Sequence, residues 1–444
     1  MKKRMIPGTD PEGSALIAVL MMMLALFFLS SIVMDTTSSY LNQWVTPQVR
    51  TSRALYVAEG GAHVALQWLR DSYGLPRNSS CSPSPCFSST TAGQIVYNNQ
   101  PVVLSASTDP DLNHPDSYTD MEGTVRSGVI AGFQSNLTNQ SLGSGTFNVE
   151  ATLLGTNPQR WRIASNGTVS SVSKTVTVQT RQNPFNPPYA LVTGGDLAIG
   201  GNSKVQGSCG NAHSNANLSV GNSITVAGTA TSTGSCSGCS GHPDWGGGRP
   251  KAKIPAVIPS DFQQYAIYEL RSDGKIYYGQ ASATPGVEIT SGPLKDQWSY
   301  SSATEVWKLS GNTAADGAFY AEGKIEVSGS PGDATTPWQA TLIATGDIKI
   351  SGSPRLTQYT QNLLMVAGQD LTISGDPQTD PVGGVMAAKN QLKISGNPQL
   401  NGFVFSKSAE ISSVTIGNPT ITYNCQLGSN PFPGDLAMVS WMEN

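Results

Sequence analysis

The sequence predicts an α+β protein that is mostly β: a long N-terminal transmembrane helix, a small β-rich domain, and a parallel β-helix (solenoid) as C-terminal domain. Three observations predict it. An apolar run from Ala15 to Met34, broken only by Ser30 and Ser31, follows the cations Lys2, Lys3 and Arg4. The tetrapeptides Ser328-Gly329-Ser330-Pro331, Ser351-Gly352-Ser353-Pro354, Ser374-Gly375-Asp376-Pro377 and Ser395-Gly396-Asn397-Pro398 recur, and Gly417-Asn418-Pro419 follows them. Only 13% of the 444 residues are charged, while 47 Gly and 28 Pro supply turns between short strands. With 26 Lys and Arg against 30 Asp and Glu, the net charge is −4. That leaves no basic field for a nucleic acid, and no such partner is expected.

The apolar run has the length of one membrane span, since about 20 residues of helix cross the hydrocarbon core. Its basic flank lies on the N-terminal side, which predicts a cytoplasmic N-terminus with residues 35–444 outside. The run is too long for the h-region of a cleaved secretory signal and for an ordinary buried core helix. Helical character continues past Asp35, because Leu55, Ala58, Ala62, Ala65, Leu66 and Leu69 recur at three- and four-residue steps. Pro47 is expected to kink the helix midway by clashing with the carbonyl four residues back. Residues 14–75 therefore read as one two-part helix, lipid-soluble first and able to dock on a globular body after.

The short basic leader ending in Pro11-Glu12-Gly13, the following Ser14-Ala15-Leu16-Ile17, and the later Val57-Ala58-Glu59-Gly60-Gly61-Ala62 resemble the N-terminus of PilX-type minor type IV pilins. The resemblance covers roughly residues 1–75. It implies a leader of residues 1–13, removed by a prepilin peptidase between Gly13 and Ser14. It also implies a pilin-helix motif that includes Leu16, Ala18, Ala58 and Glu59. Most pilin-like proteins carry Glu at the fifth mature position, where this chain has Ala18. A buried carboxylate needs a partner, in that family a neighbouring subunit's N-terminal amine, so its absence suits a low-copy subunit at a filament tip.

Residues 76–188 read as a small β-rich pilin-type domain, with alternation at Phe147–Ala151 and Ser173–Val178 and a turn at Ser165-Asn166-Gly167-Thr168. The repeat glycines Gly329, Gly352, Gly375, Gly396 and Gly417 are 23, 23, 21 and 21 residues apart. A fixed period of that size indicates a solenoid. Ile325, Ile348, Leu371 and Leu392 each stand four residues before a repeat glycine, as stacked inward positions would. Two earlier units, Leu197-Ala198-Ile199 and Leu218-Ser219-Val220, fit the same template. The solenoid is accordingly assigned to residues 189–228 and 315–425, with an insertion at 229–314 and a C-terminal cap at 426–444. The repeat resembles the β-helical region of some PilX-type proteins and, in architecture only, the bactofilin polymer.

Six cysteines on the exported side, Cys81, Cys86, Cys209, Cys236, Cys239 and Cys425, are disulfide candidates. Cys81 and Cys86 are close enough for a local bridge; the connectivity of the others is open. A zinc site from Cys209, His213, Cys236, Cys239 and His242 is the weaker alternative, since oxidising conditions favour disulfides, and no metal or cofactor is expected. No hydrolase, metalloprotease or phosphate-loop motif occurs. The acids Glu326, Asp347 and Asp370 recur as an outward ladder rather than a catalytic cluster, so no enzymatic activity is expected. The expected partners are the membrane, other pilin or pseudopilin subunits, the prepilin peptidase, and a surface or carbohydrate ligand for the head. The expected location is the inner membrane with the bulk periplasmic, then a pilus or the cell surface. The rival readings are a membrane-anchored β-helical carbohydrate-active enzyme and a self-polymerising solenoid scaffold.

Overall fold

The computed structural model describes residues 11–73, 88–89, 95–97, 99–105, 113–120, 125–156, 158–279, 286–425, 427 and 430–443. Helix α1 (Pro11–Tyr40) runs through one π-helical turn (Leu41–Val45) into α2 (Thr46–Trp68), followed by a second π turn (Leu69–Tyr73). The wide π turn stands just before Pro47, where the kink is expected. There the Thr46 amide reaches the carbonyl of Leu41, five residues back, and the Thr46 hydroxyl donates to the same oxygen at 2.6 Å. One extra residue in the turn relieves the ring clash that proline imposes on an ordinary helix.

Helix α2 packs on an antiparallel sheet whose long strands are Gly145–Thr156, Gln159–Val169 and Val172–Pro184. Ala54, Val57, Ala58, Gly61, Ala62, Ala65, Leu66 and Trp68 form its buried stripe, against Phe147, Val149, Trp161, Ile163, Val176 and Val178. Small residues set a close approach. A Cβ on Gly167 would fall on the backbone of Ala54 and Ala58, and one on Gly61 would lie 2.7 Å from the Phe147 ring. This explains why Asn166-Gly167 is not the expected turn. Gly167 stays inside its strand, beneath the helix, and the chain reverses at Ser170 and Ser171, with Ser170 at φ +57°.

The C-terminal half is a parallel β-solenoid, wound in an order that differs from the chain's. On one face the strands run Ala230–Ser232, Ala212–Ser214, Leu191–Thr193, Val404–Ser406, Val385–Ala388, Leu363–Ala367, Trp338–Ala344, Gly317–Ala321, Tyr268–Leu270. At about 4.8 Å per coil these nine strands span roughly 40 Å. The first coil and the last are neighbours: Leu191 pairs with Val404. The assigned insertion at 229–314 is therefore no excursion. Its first part, Ala230–Ser232 and Cys236–Ser237, is a further coil. The chain then returns along the solenoid, bonding Asn215 through Ala252, accepting from Lys407 at Ile254 and burying Val257 and Phe262. The short 3-10 helix Pro259–Tyr265 lies on this path, and winding resumes at Tyr268–Leu270 and Val306–Leu309.

Within the repeat, Ile325, Ile348, Leu371 and Leu392 stack in one parallel ladder and are fully buried, while Glu326, Lys349, Thr372 and Lys393 alternate outward. Each such burial contributes about 1.5–3 kcal/mol. The repeat glycine is required at Gly375, Gly396 and Gly417, whose φ values are +77°, +80° and +91° and whose Cβ would meet the glycine of the preceding coil.

The assigned C-terminal cap does not cover the solenoid. Pro433–Glu443 leaves it and pairs antiparallel with Val172–Pro184 as a strand of the helix-bearing sheet. Leu436 turns inward there to join the α2 core.

Candidate functional site: an exposed apolar helix and a side-mounted solenoid

The first functional surface is α1. From Val19 to Met34 its side chains are exposed, with an 18-residue window of mean hydropathy 2.1 and none of it buried against the protein. A helix of this length and composition can cross a membrane. Gly13, Ser14, Leu16 and Ala18 lie on α1, and the Gly13–Ser14 junction is within its helical backbone; residues 1–10 of the leader are outside the described residues. Ala58 is fully buried against the sheet, and Glu59 beside it is half-exposed.

The second is the solenoid and its mount. The chain enters at Leu191 and leaves after the coil of Val404, so both connections reach adjacent coils in mid-length and the solenoid is held by its side. Arg70 donates to the carbonyl of Leu436 at 2.9 Å, and Lys253 on the returning segment reaches Asp71 at 3.1 Å and Asp435 at 3.4 Å. The Phe185 amide donates to the Phe432 carbonyl at 2.8 Å, and both rings pack edge-on against Phe405. A cleft of about 760 Å³ lies at this junction, lined by Arg70, Lys251, Lys253, Asp435, Tyr189 and the prolines of the linker.

Cys209 is joined to Cys425 and Cys236 to Cys239, with Cα separations of 5.6 and 5.8 Å. Cys81 and Cys86 are outside the described residues. These pairings use the thiolates that the zinc alternative required. His213 spends both ring nitrogens on Thr231 at 2.8 Å and Asn215 at 3.1 Å, and His242 is exposed and stacked on Trp245. Among the described residues no metal-capable group of three side chains converges.

Two acids of the repeat, Asp347 and Asp370, serve the backbone, while Glu326 pairs with Lys349 at 3.6 Å. The Asp370 amide donates to Asp347 Oδ1, and the Gln391 amide to Asp370 Oδ1, each at 3.1 Å; Lys324 pairs with Asp347 at 2.8 Å. Each carboxylate caps an amide of the next coil. Elsewhere His114 is buried, hydrogen-bonded to the Tyr73 hydroxyl at 2.6 Å. Burial pushes its pKa down to about 4, against the opposing pulls of the Pro115 carbonyl and Asp116. Tyr118, whose hydroxyl donates to the Tyr73 carbonyl at 2.6 Å, completes this packed group at the end of the long helix.

No protein-family model and no curated protein matches this chain. Among solved structures it is similar to the crystal structure of the competence-associated pilin ComZ from Thermus thermophilus, at TM-score 0.31 and 13% identity, covering 89% of this chain and 97% of that one. It is also similar to the DUF3494 domain of ice-binding protein 1 from Shewanella frigidimarina, at TM-score 0.25 and 12% identity, covering 55% of this chain and 99% of that one.

Proposed function

We propose that the chain is a minor type IV pilin-like subunit of PilX type, which takes part in pilus or pseudopilus assembly and projects its solenoid for adhesion or recognition. The observation that carries this is one continuous helix with two opposite surfaces. Its first half exposes an unbroken apolar face, and its second half is packed tightly on an antiparallel sheet through Ala58 and Gly61. An apolar helix anchored in this way belongs in lipid before assembly and among the helices of other pilin subunits after it. We read the solenoid as a rigid surface that works without catalysis, because Asp347 and Asp370 are engaged as amide caps and Glu326 pairs with Lys349. A membrane-inserted precursor with its bulk outside the inner membrane, processed at Gly13–Ser14 by the prepilin peptidase, completes the reading. The lack of a carboxylate at Ala18 fits a low-copy tip subunit better than a major one.

The mature N-terminus, determined by mass spectrometry, tests it: Ser14 should be the first residue, and Gly13→Val should abolish both processing and recovery in sheared filaments. An unprocessed wild-type chain, absent from filaments, would overturn the proposal. Quantification of the same filaments should find the protein at very low copy, and its abundance as the main component would exclude the tip assignment.

A further inference from the structure

The cleft of about 760 Å³ at the mount is lined by two lengths of chain, the linker at residues 183–189 and the returning segment at residues 251–255. Both are fixed in place. Asn211 donates its side-chain amide to the Pro188 carbonyl at 2.6 Å, and Tyr189 stacks on His213 with ring centroids 5.1 Å apart. Lys253 is held between Asp71 and Asp435, and its ammonium also donates to the Arg70 carbonyl at 3.2 Å.

The returning segment presents an open strand edge. Residues 249–258 form neither helix nor turn, and none has a positive φ. The Ala252 amide donates to Asn215 Oδ1 at 2.7 Å and the Asn215 side-chain amide donates to the Ala252 carbonyl at 2.8 Å, so both backbone groups of Ala252 face the solenoid. Two residues on, the Ile254 carbonyl accepts from Lys407 at 2.6 Å. Backbone groups of an extended chain alternate sides from one residue to the next. Lys251 and Lys253 therefore turn theirs away from the solenoid, and among the described residues their amides and carbonyls have no partner. Unpaired groups on alternate residues are the template to which an extended peptide adds as a strand.

Charge selects the peptide. The Lys251 side chain is exposed and has no hydrogen-bond or ion-pair partner among the described residues. Arg70 spends its guanidinium on the Leu436 carbonyl and meets no carboxylate among them. Asp435, the acid that lines the cleft, is already taken by Lys253. Two uncompensated positive charges thus stand beside the open edge, in a cleft large enough for a short peptide. We propose that the cleft binds an acidic, extended peptide segment of another protein, added as a strand along Lys251 and Lys253 with its carboxylates on Lys251 and Arg70. The site is at the mount and not on the projecting solenoid, so it goes beyond the role proposed above and does not rest on it.

The test titrates full-length protein in phosphocholine nanodiscs into the fluorescein-labelled peptide Glu-Val-Glu-Val-Glu-Val, read by anisotropy. The peptide should bind, and Lys251→Glu, at a side chain that holds nothing in the fold, should weaken it about tenfold or more. Lys393→Glu, on an outer face of the solenoid, should change nothing. Strand addition makes a sharper demand, because only alternate amides of the peptide face the edge. Of two analogues, N-methylated on every valine or on every glutamate, one should bind like the parent and the other about tenfold more weakly or worse. Equal binding by the two analogues would exclude strand addition. No binding of the parent peptide, equal binding of Lys-Val-Lys-Val-Lys-Val, or full binding to the Lys251→Glu variant would each overturn the site. Hexagalacturonate bound in place of the peptide would make it a saccharide site and overturn the assignment as well.

Discussion

Asn202 donates its side-chain amide to Oδ1 of Asn418 at 2.8 Å, across 216 residues of chain. The ladder continues in the same sense, from Asn418 to Asn397 at 2.7 Å and from Asn397 to Asp376 at 2.8 Å. It therefore runs uninterrupted through the seam where the first coil meets the last. Gly201 likewise sits on Gly417 as Gly417 sits on Gly396. The seam is built to the same pattern as the continuous coils, although no peptide links its two sides directly.

The Cys209–Cys425 bridge closes this seam covalently. A loop of that length gives about 5 kcal/mol in the chain-entropy model, with measured values usually lower. Cys209→Ser with Cys425→Ser should therefore lower the unfolding free energy by about 2–5 kcal/mol. Denaturant titration of the double variant checks it, and an unchanged midpoint contradicts it.

Ile348 is fully buried between Ile325 and Leu371, whereas Lys349 in the same strand faces outward. Ile348→Asp places an unpaired charge in that stack and should cost several kcal/mol, roughly 4 or more. Lys349→Asp loses a 3.6 Å surface pair with Glu326 and sets a like charge opposite it, and on this exposed face should cost no more than about 1–2 kcal/mol. Melting temperatures of the two variants decide it; equal losses would refute the assigned orientation.

Stability should fall between about pH 6.5 and pH 4 because of His114. Its pKa is about 4 in the fold and near the ordinary 6.5 unfolded, so in that window the unfolded chain takes up a proton that the folded chain refuses. The loss amounts to about 3 kcal/mol and is complete at the lower limit. Unfolding titrations at pH 7 and pH 4.5 should differ by less in His114→Phe than in the wild type. An equal pH dependence in both would show that His114 is not the group responsible.

The apolar helix and the period of the solenoid were legible because each rests on a local pattern: Ala15–Met34 on composition, Ile325 to Leu392 on spacing. The seam was not. Its last coil carries Ser413 and Thr415 where the two flanking coils carry Leu and Ile, with Ser413 bonded to Ser406 at 3.0 Å and to the Leu392 amide at 3.1 Å. That coil was legible from its turn, Gly417-Asn418-Pro419, and not from its ladder. Pairing of Leu191 with Val404 leaves no mark in either segment, since register between distant strands is decided by what each buries.

Gly167 should be intolerant of a side chain. Gly167→Val would drive methyl groups into the backbone of Ala54 and Ala58, and the helix must move or the strand must bend. Overpacking of this kind costs about 1–3 kcal/mol, more where backbone is struck. Asn166→Ala, exposed on the other face of the strand, should be nearly neutral. Faster proteolysis within α2 of the valine variant is the expected signature, and wild-type resistance would argue against the close docking.

The winding order itself can be tested by one crosslink. Ala198 and Val414 are register partners in adjacent parallel strands, and neither is buried. In a solenoid wound in sequence order, the nine coil strands of this face would place them at opposite ends, about eight coils or roughly 40 Å apart. In the observed order they sit side by side, within the reach of a disulfide, for which Cα atoms must approach to about 7 Å or less. Ala198→Cys with Val414→Cys should thus crosslink under mild oxidation and give a compact band on non-reducing gels. Lys349→Cys with Thr372→Cys, neighbours in either winding, serves as the positive control. A control pair that closes while the seam pair stays open, with both seam thiols still reactive to maleimide, would establish sequential winding. The Cys209–Cys425 bridge would then have no geometry in which to form.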